Sequence, residues 1–286
     1  MSDNQKIIAL IDGSIYSASV CEYASWIAKR SDAPIELVHI LARKADVESA
    51  DHSGAIALGA RTALLAELAE LDEQRAKLIN QQGRAILEDA RKMIEASGIQ
   101  NVSTRLLHGD LLEVLPELEQ NARVIVMGKR GEAADFAKGH LGSNLERVAR
   151  ASQAPVFVSN RAFKDVQKVL LAFDGGGSAI KAVQHVANSK LFSGLEIEVV
   201  HVGNDEAESH RKLAEAGAIL TQGKVAHKLQ HLSGNPEVAL AKYAEEEGFG
   251  LLIMGAYGHS RIRNLLIGSI TTEMVRSCKI PVVLIR

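Results

Sequence analysis

The stretch Gly255-Ala-Tyr-Gly258, followed after nine residues by Gly268-Ser269, decides how this sequence folds. It comes directly after an apolar run, and a near copy lies upstream as Gly128-Lys-Arg-Gly131, ten residues, and Gly142-Ser143. Glycines spaced in this way let backbone N–H groups approach an anion closely, and a Gly-Ser at the start of a helix can complete a phosphate site. The sequence therefore predicts two related nucleotide-site modules in series.

The repetition extends well beyond the glycines. Four further pairs of segments match in the same order: Lys6–Asp12 with Lys168–Asp174, Ile35–Ile40 with Ile197–Val202, Leu107–Asp110 with Leu232–Asn235, and Ala154–Val158 with Ile280–Leu284. Matches in the same order along the chain indicate an internal duplication. The 286 residues suffice for two domains with their own cores, and the apolar pattern breaks near residues 160–165. We predict one domain over residues 1–160 and a second over residues 166–286.

Strand-like and helix-like segments alternate along each half. Five short apolar runs per half are typical of strands that are buried on both faces of a parallel sheet. They lie near residues 6–12, 35–41, 102–107, 123–128 and 155–159, and near 168–174, 196–202, 225–231, 250–255 and 281–285. Helices are predicted in the gaps of the first half, near 15–30, 60–97, 111–120 and 143–151. The alternation predicts an α/β fold in which each half is an open five-stranded parallel sheet flanked by helices.

The first half is longer than the second because of an insertion at about residues 43–82. This stretch is rich in Ala, Leu and Glu, and its apolar positions recur at helical spacing. A longer second helix, or a helical hairpin over one face of the sheet, accounts for that pattern. A regulatory lid or a surface for a partner protein is the alternative interpretation.

Composition and charge argue against several classes of partner. With 47% hydrophobic residues and a formal net charge of -2, the chain has no electrostatic basis for binding nucleic acid or an anionic membrane. No run approaches the roughly 18 apolar residues of a membrane span, and the first residues lack a secretory signal, so we expect a cytoplasmic protein. Cys21 and Cys278 are expected to be buried thiols, and the ten histidines predict no metal site.

These residues resemble a tandem universal stress protein, in which two universal stress domains are joined in one polypeptide. The family signature is Gly-x2-Gly-x9-Gly-Ser/Thr, which Gly255, Gly258, Gly268 and Ser269 match without departure. The resemblance spans nearly the whole chain. It implies flavodoxin-like, adenine nucleotide alpha-hydrolase-like domains that bind ATP, with or without Mg²⁺, at the carboxyl ends of the strands, where the strand order reverses.

The resemblance also implies roles for individual residues of the second half. Asp174 and Val202 would lie at the adenine, Gly255 and Gly258 along the ribose and phosphates, and Gly268, Ser269 and the Ile270 backbone at the phosphates. Met254, which precedes Gly255, is a further candidate site residue. Apart from the resemblance, Arg261 is a candidate because an arginine between the motif glycines could neutralise phosphate charge. Two of these residues have a simpler alternative role. Asp174 could satisfy turn amides or cap the following helix, and Ser269 could act as a helix N-cap.

The first half carries an altered copy of this site. Its equivalent residues are Asp12, Ile40, Gly128, Gly131, Gly142 and Ser143. Ten rather than nine residues separate Gly131 from Gly142, which departs from the signature. Glu132 and Asp135 also fall where a phosphate chain would run, although neighbouring basic residues could offset their charge. We therefore expect the second half to be the main nucleotide site.

Three classes of function fit these observations. The first is a stress or signalling module whose ATP-bound state is recognised by a protein partner. The second is a slow ATPase, and the third is a nucleotide-independent interaction platform. No P-loop, Ser-His-Asp arrangement or Gly-x-Ser-x-Gly motif is present, so no catalytic residues are assigned and a dedicated enzyme is not expected. We favour the first class.

The resemblance implies an assembly as well, because single-domain members of the family commonly dimerise through the last strand. In this chain, residues 155–159 and 281–285 would pair across a pseudo-two-fold axis. We expect a pseudo-dimer within one polypeptide. The exposed faces of the long first-half helix leave a further homodimer open.

Overall fold

The computed structural model describes residues 5–41, 58–130, 143–256 and 269–286. The strands in these ranges are β1 Lys6–Leu10, β2 Ile35–Leu41, β3 Val102–His108, β4 Ala122–Gly128, β5 Val156–Ser159, β6 Lys168–Ala172, β7 Glu196–Val202, β8 His227–Leu232, β9 Leu251–Gly255 and β10 Val282–Ile285. The helices are α1 Ser17–Ser31, α2 Leu58–Ala96, α3 Leu111–Glu119, α4 Ser143–Ala151, α5 Gly177–Asn188, α6 Glu206–Gln222, α7 Pro236–Glu246 and α8 Ser269–Ser277. Every predicted strand is present, and the predicted α/β fold is confirmed.

All ten strands belong to one sheet, with the order β3-β2-β1-β4-β5-β10-β9-β6-β7-β8. The strands within each half are parallel. The halves meet at β5 and β10, which pair antiparallel with Phe157 opposite Val283. The predicted pairing of residues 155–159 with residues 281–285 is therefore observed. Because this pair is antiparallel, strand directions reverse from one half to the other.

The strand order reverses next to the first strand of each half. Strand β1 lies between β2 and β4, and β6 lies between β7 and β9. In an open parallel sheet, loops diverge at such a point and leave a crevice beyond the carboxyl ends of the strands. The fold thus creates two equivalent crevices, one beyond β1 and β4 and one beyond β6 and β9.

Apolar side chains fill both faces of the sheet. Ile7 and Ile8 are both buried, yet they belong to different clusters because successive side chains of a strand point to opposite faces. One cluster includes residues of α1, α2, α5 and α6, and the other includes residues of α3, α4, α7 and α8. Each cluster contains residues from both halves, so the core is continuous across the β5–β10 junction.

Local signals explain where several helices begin and end. Asn235 accepts hydrogen bonds from the N–H groups of Glu237 and Val238, and Pro236 occupies the first helical position of α7. Helix α1 ends where Asp32 adopts a left-handed conformation with φ of 52° and donates its N–H to the Ala28 carbonyl.

The insertion in the first half lengthens one helix. Helix α2 has 39 residues, whereas its counterpart α6 has 17. Residues 58–82 of the predicted insertion form the N-terminal part of α2, and residues 42–57 lie outside the described ranges. None of the described helices is both long and apolar enough to cross a membrane.

The segment that joins the halves, residues 160–167, is bound to α1. The Tyr23 hydroxyl donates to Oδ1 of Asn160 at 3.0 Å and accepts the Lys164 N–H at 3.2 Å. The Tyr23 ring lies 5.0 Å from the Phe157 ring and 4.9 Å from the Phe163 ring. These contacts hold the connecting segment in place along the junction between the two halves.

Candidate functional site

The crevice of the second half brings together several of the predicted site residues. Asp174 follows the end of β6, Gly255 ends the neighbouring β9, and Val202 ends β7 on the other side of β6. Val202 is half-buried. Met254 reaches the same edge through its backbone, while its side chain is buried in the core. Residues from three segments that are distant in sequence therefore share one edge of the sheet.

Asp174 shapes the loop that leads into α5. Its Oδ1 accepts the N–H of Gly176 at 2.7 Å, so the alternative role in satisfying a turn amide is observed. Gly175 has φ of 82°, a left-handed conformation that glycine adopts readily. Within the described part of the chain, Oδ2 of Asp174 accepts no hydrogen bond. One carboxylate oxygen thus fixes the loop, and the second is available to a ligand.

Gly255 allows β9 and α5 to touch. A Cβ built on Gly255 would lie 2.5 Å from Oγ of Ser178 and 2.8 Å from the backbone N of Ala179. Real Cβ atoms do not come this close, so only glycine permits the contact. Close packing explains this motif glycine without any ligand. Its effect is to bring the first turn of α5 to the end of β9.

The first turn of α5 is built from small residues. The N-cap is Gly176, which has no side chain that could cap the first N–H groups of the helix. A Cβ on Gly177 would meet nothing within 4 Å. A helix N-terminus presents unpaired N–H groups and a partial positive charge. The first turn of α5 lies against the end of β9, so this helix N-terminus lies at the crevice beyond β6 and β9. The arrangement suits an anionic group close to the backbone.

Lys212 of α6 adds a cation beside this loop, and it was not among the site residues predicted from the sequence. Its aliphatic carbons lie 3.3–3.5 Å from the position of a Gly175 Cβ, and its side chain is only 19% exposed. Its Nζ lies 3.0 Å from Oε1 of Glu208, one helical turn earlier. In the sequence, Glu208 and Lys212 have the spacing of an ordinary surface ion pair, so nothing marked Lys212 as part of a site.

The first-half crevice contains the same elements with different side chains. Oδ1 of Asp12 accepts the Ser14 N–H at 3.0 Å and the Ser17 hydroxyl at 3.3 Å. A Cβ on Gly128 would lie 2.6 Å from Cβ of Tyr16. Ile40, near the end of β2, is half-buried. The predicted residues Asp12, Ile40 and Gly128 therefore also share one edge.

Two substitutions distinguish the crevices. Tyr16 follows Asp12 by four residues, as Ser178 follows Asp174, and each packs against the motif glycine of its own half. The atom nearest to a Cβ on Gly13 is Cδ1 of Ile86, at 2.9 Å, which matches the contact of Gly175 with Lys212. The first crevice thus has a bulky ring and an apolar chain where the second has a hydroxyl and an amine.

The remaining predicted site residues lie at the borders of the described ranges. Gly258, Arg261 and Gly268 of the second half, and Gly131 and Gly142 of the first, lie outside them. Helix α8 begins with Ser269 and Ile270, and helix α4 begins with Ser143, so the predicted helix starts are observed. Oγ1 of Thr271 donates to the carbonyl of Ala256 at 3.1 Å, which links the first turn of α8 to the end of β9.

The histidines and cysteines near the core have structural roles. Nδ1 of His39 lies 2.6 Å from the carbonyl O of Ile11, and Nδ1 of His201 lies 2.7 Å from that of Phe173. Burial raises the pKa of the Cys21 thiol to about 12, which makes it a poor nucleophile. Among the described residues, no group of three or more His, Cys, Asp or Glu is arranged to hold a metal ion.

Comparisons with known proteins identify a family model and a relative that match this chain. The model of the universal stress protein family matches residues 3–160 and again residues 165–286. Universal stress protein Slr1230 of Synechocystis sp. is 37% identical over 287 residues, which cover 99% of this chain and 100% of that protein.

A solved structure agrees on the fold. A universal stress protein from Archaeoglobus fulgidus superposes with a TM-score of 0.74 and 22% identity, over 100% of this chain and 99% of that one. A universal stress protein solved in complex with cAMP is 23% identical; the match covers 43% of this chain and 98% of that one, with a TM-score of 0.38. The chain belongs to the universal stress protein family and carries two of its domains in tandem.

Proposed function

We propose that the protein is an ATP-binding stress or signalling module and that its second half is the main nucleotide site. The observation that carries this proposal is the glycine-lined N-terminus of α5, which lies at the sheet crevice beside Asp174 and Lys212. Such a site offers backbone donors, a free carboxylate oxygen and a cation within one crevice. Adenine is the base that the family resemblance implies.

Each residue has a proposed role in the second half. The residues are Asp174 and Val202 at the adenine, Met254, Gly255 and Gly258 along the ribose and phosphates, and Arg261, Gly268, Ser269 and Ile270 at the phosphates. Oδ2 of Asp174 would accept a hydrogen bond from the base, since Oδ1 is used by the loop. Lys212 would neutralise phosphate charge, with Mg²⁺ accompanying the nucleotide when present.

The first half is proposed to bind ATP more weakly or not at all. Tyr16 packs against Gly128, where the second half has only the small Ser178. Ile86 replaces the cation supplied by Lys212. A polyphosphate in this crevice would lack that charge, and the motif loop of this half contains the acidic residues Glu132 and Asp135 in its sequence. The residues equivalent to the second site are Asp12, Ile40, Gly128, Gly131, Gly142 and Ser143.

Binding rather than catalysis is the proposed function. Fast phosphoryl transfer needs a positioned base and a charge clamp on the γ-phosphate, and we assign neither among the described residues. Slow ATP hydrolysis and a nucleotide-independent platform remain the alternatives. A turnover near roughly 1 per second, the low end for kinases, would contradict the proposal.

A protein partner and self-association would convert nucleotide binding into a signal. The exposed face of α2 carries leucines at heptad-like spacing, Leu64, Leu68, Leu71 and Leu78, each 46–65% exposed. We propose that this face mediates a homodimer beyond the pseudo-dimer within the chain. A role that depends on ATP also fits a cytoplasmic location, and neither nucleic acid nor a membrane is proposed as a partner.

The experiment that tests the proposal is calorimetric titration of nucleotide-free protein with Mg-ATP. We expect one tight site, lost in Gly268→Val because a side chain would block the approach of phosphate to the backbone. Gly142→Val, the equivalent change in the first half, is the matched control and should keep that site. Absence of heat at millimolar ATP, or loss of the site in the control alone, would contradict the proposal.

A further inference from the structure

A cavity lies where the two halves meet, away from both crevices. Its volume is about 310 Å³, which is at the lower end of the range for small-molecule sites. Its walls come from α1, the start of β4, β5 and β10, α5 and the turn that follows α5. We propose that this cavity binds a small monocarboxylate with a compact apolar body.

Arg123 supplies the cation of this cavity. Its Nε is buried and has no hydrogen-bond partner, and within the described part of the chain its guanidinium forms no ion pair. A buried donor without a partner costs free energy, more so when it belongs to a charged group. An acceptor on a bound anion would satisfy it, and a carboxylate matches the planar fork of an arginine.

The other titratable groups of the cavity limit the charge of its ligand. Burial, together with the nearby Arg123, lowers the pKa of His185 to about 4, so this imidazole is neutral near pH 7. Glu119 also lines the cavity, but its Oε1 already accepts the N–H groups of Gln153 at 2.8 Å and Ala154 at 3.4 Å. The cavity is lined by the guanidinium of Arg123 and by the carboxylate of Glu119, which is hydrogen-bonded to the backbone. With a single cationic side chain among the described residues that line it, the cavity favours a monoanion over a phosphate dianion.

Apolar side chains form the rest of the cavity. Ile27 of α1, Phe192 after α5 and Val283 of β10 line it. Phe192 and Val283 are almost fully buried, and the His185 ring meets the Phe192 ring edge-on at 6.0 Å. These groups suit the hydrocarbon part of a ligand whose charged end faces Arg123.

The duplication allows the two sides of the junction, one at Tyr23 and the other at His185, to be compared. Tyr23 and His185 are equivalent, since each lies eleven residues after the aspartate that follows the first strand of its half. On the Tyr23 side, Phe163 and Lys164 of the connecting segment cover the groove. Within the described residues, no equivalent segment covers the groove on the His185 side.

Arg123 lies at the position of the first half that is equivalent to Gly250 in the second half. It precedes Gly128 by five residues, as Gly250 precedes Gly255. A Cβ on Gly250 would lie 3.2 Å from Cα of Val166, so the connecting segment leaves little room for a side chain there. In the first half, the same position carries a long cation that enters the open groove. The two sides of the junction thus differ in the path of the connecting segment and in the residue at this position, and the cavity lies on the Arg123 side.

Ligand-detected NMR on nucleotide-free protein tests this proposal, with benzoate and isovalerate as probes. Benzamide serves as the uncharged counterpart of benzoate, and inorganic phosphate serves as the competing anion. We expect saturable binding of both carboxylates, and binding of benzoate that is at least about tenfold weaker in Arg123→Gln. Arg84→Gln removes the same charge from an exposed position on α2 and should leave the affinity unchanged.

Thermal melting of the variants separates a ligand site from a structural role. Because Nε of Arg123 has no partner, Arg123→Gln should keep or raise the Tm, and Arg123→Lys should retain part of the benzoate affinity. A lowered Tm in Arg123→Gln, equal binding of benzamide and benzoate, or preferential binding of phosphate would each overturn the proposal. So would the absence of saturable binding by either carboxylate.

Discussion

Gly255 at the end of β9 is in direct contact with Ser178 in the first turn of α5. A Cβ added to this glycine would lie 2.5 Å from the Ser178 Oγ, well inside any normal contact distance. The family signature glycine therefore has a packing role that would be required even without a nucleotide. The same contact positions the α5 N-terminus at the crevice that we propose binds the nucleotide, so the proposal makes both stability and function depend on one residue.

Gly255→Ala should lower the free energy of unfolding by about 1–3 kcal/mol, because the added methyl group forces β9 and α5 apart. Gly177→Ala is the matched control, since a Cβ at that position meets nothing within 4 Å. The control should be neutral or stabilise the fold by roughly 0.4–1 kcal/mol. Chemical denaturation of both variants measures the difference. Equal stability of the two would contradict the packing role of Gly255.

Lys212→Gln should weaken the binding of Mg-ATP by about tenfold, because the proposed site loses a cation beside the phosphates. Arg211→Gln is the control, since this neighbouring side chain is exposed and its loss changes the net charge equally. Calorimetry at two salt concentrations measures both affinities. An equal loss in the two variants would indicate a general charge effect and remove Lys212 from the site.

His185 should make stability depend on pH. Its pKa is about 4 in the folded protein, below its usual 6.5, because the ring is buried near Arg123. Between these pH values the unfolded chain binds the proton and the folded protein does not, so stability falls as pH decreases through this window. The slope contributed is at most about 1.4 kcal/mol per pH unit.

His185→Gln should remove this contribution, and urea unfolding at several pH values measures it. His210→Gln is the control, because the His210 side chain is 68% exposed on α6. The control should keep the pH dependence of the unchanged protein. If His185→Gln kept it as well, the imidazole of His185 would not be held neutral by the fold.

Leu71→Lys should prevent the proposed homodimer, because a charge in the middle of the exposed leucine face of α2 disfavours its burial. Light scattering after size exclusion measures the mass in solution. Val238→Lys makes the same change at an exposed apolar position on α7 and should not affect assembly. A monomer in the unchanged protein would refute the homodimer and leave the α2 face to another partner.

The sequence alone determined the elements of this fold and their duplication. The eight inner strands could be located because each is a short apolar run, and burial on both faces of a sheet requires such a run regardless of the neighbours. The edge strands β3 and β8 contain more polar residues and are partly exposed. The resemblance to universal stress proteins implied that residues 155–159 meet residues 281–285, and the pairing is observed; an uncovered edge strand favours such pairing. Asp174, Val202 and Gly255 could be assigned to one edge because parallel strands end on the same side.

The surroundings of these residues depend on how distant segments pack in three dimensions. Lys212 and Ile86 lie on long helices, and the position of each helix along the sheet determines which side chain faces the loop. The spacing of residues in the sequence does not predict that position. The cavity at Arg123 depends on the path of the connecting segment, which covers one side of the junction and leaves the other open. Contacts between segments distant in the chain are set by packing, and local sequence patterns describe only each segment by itself.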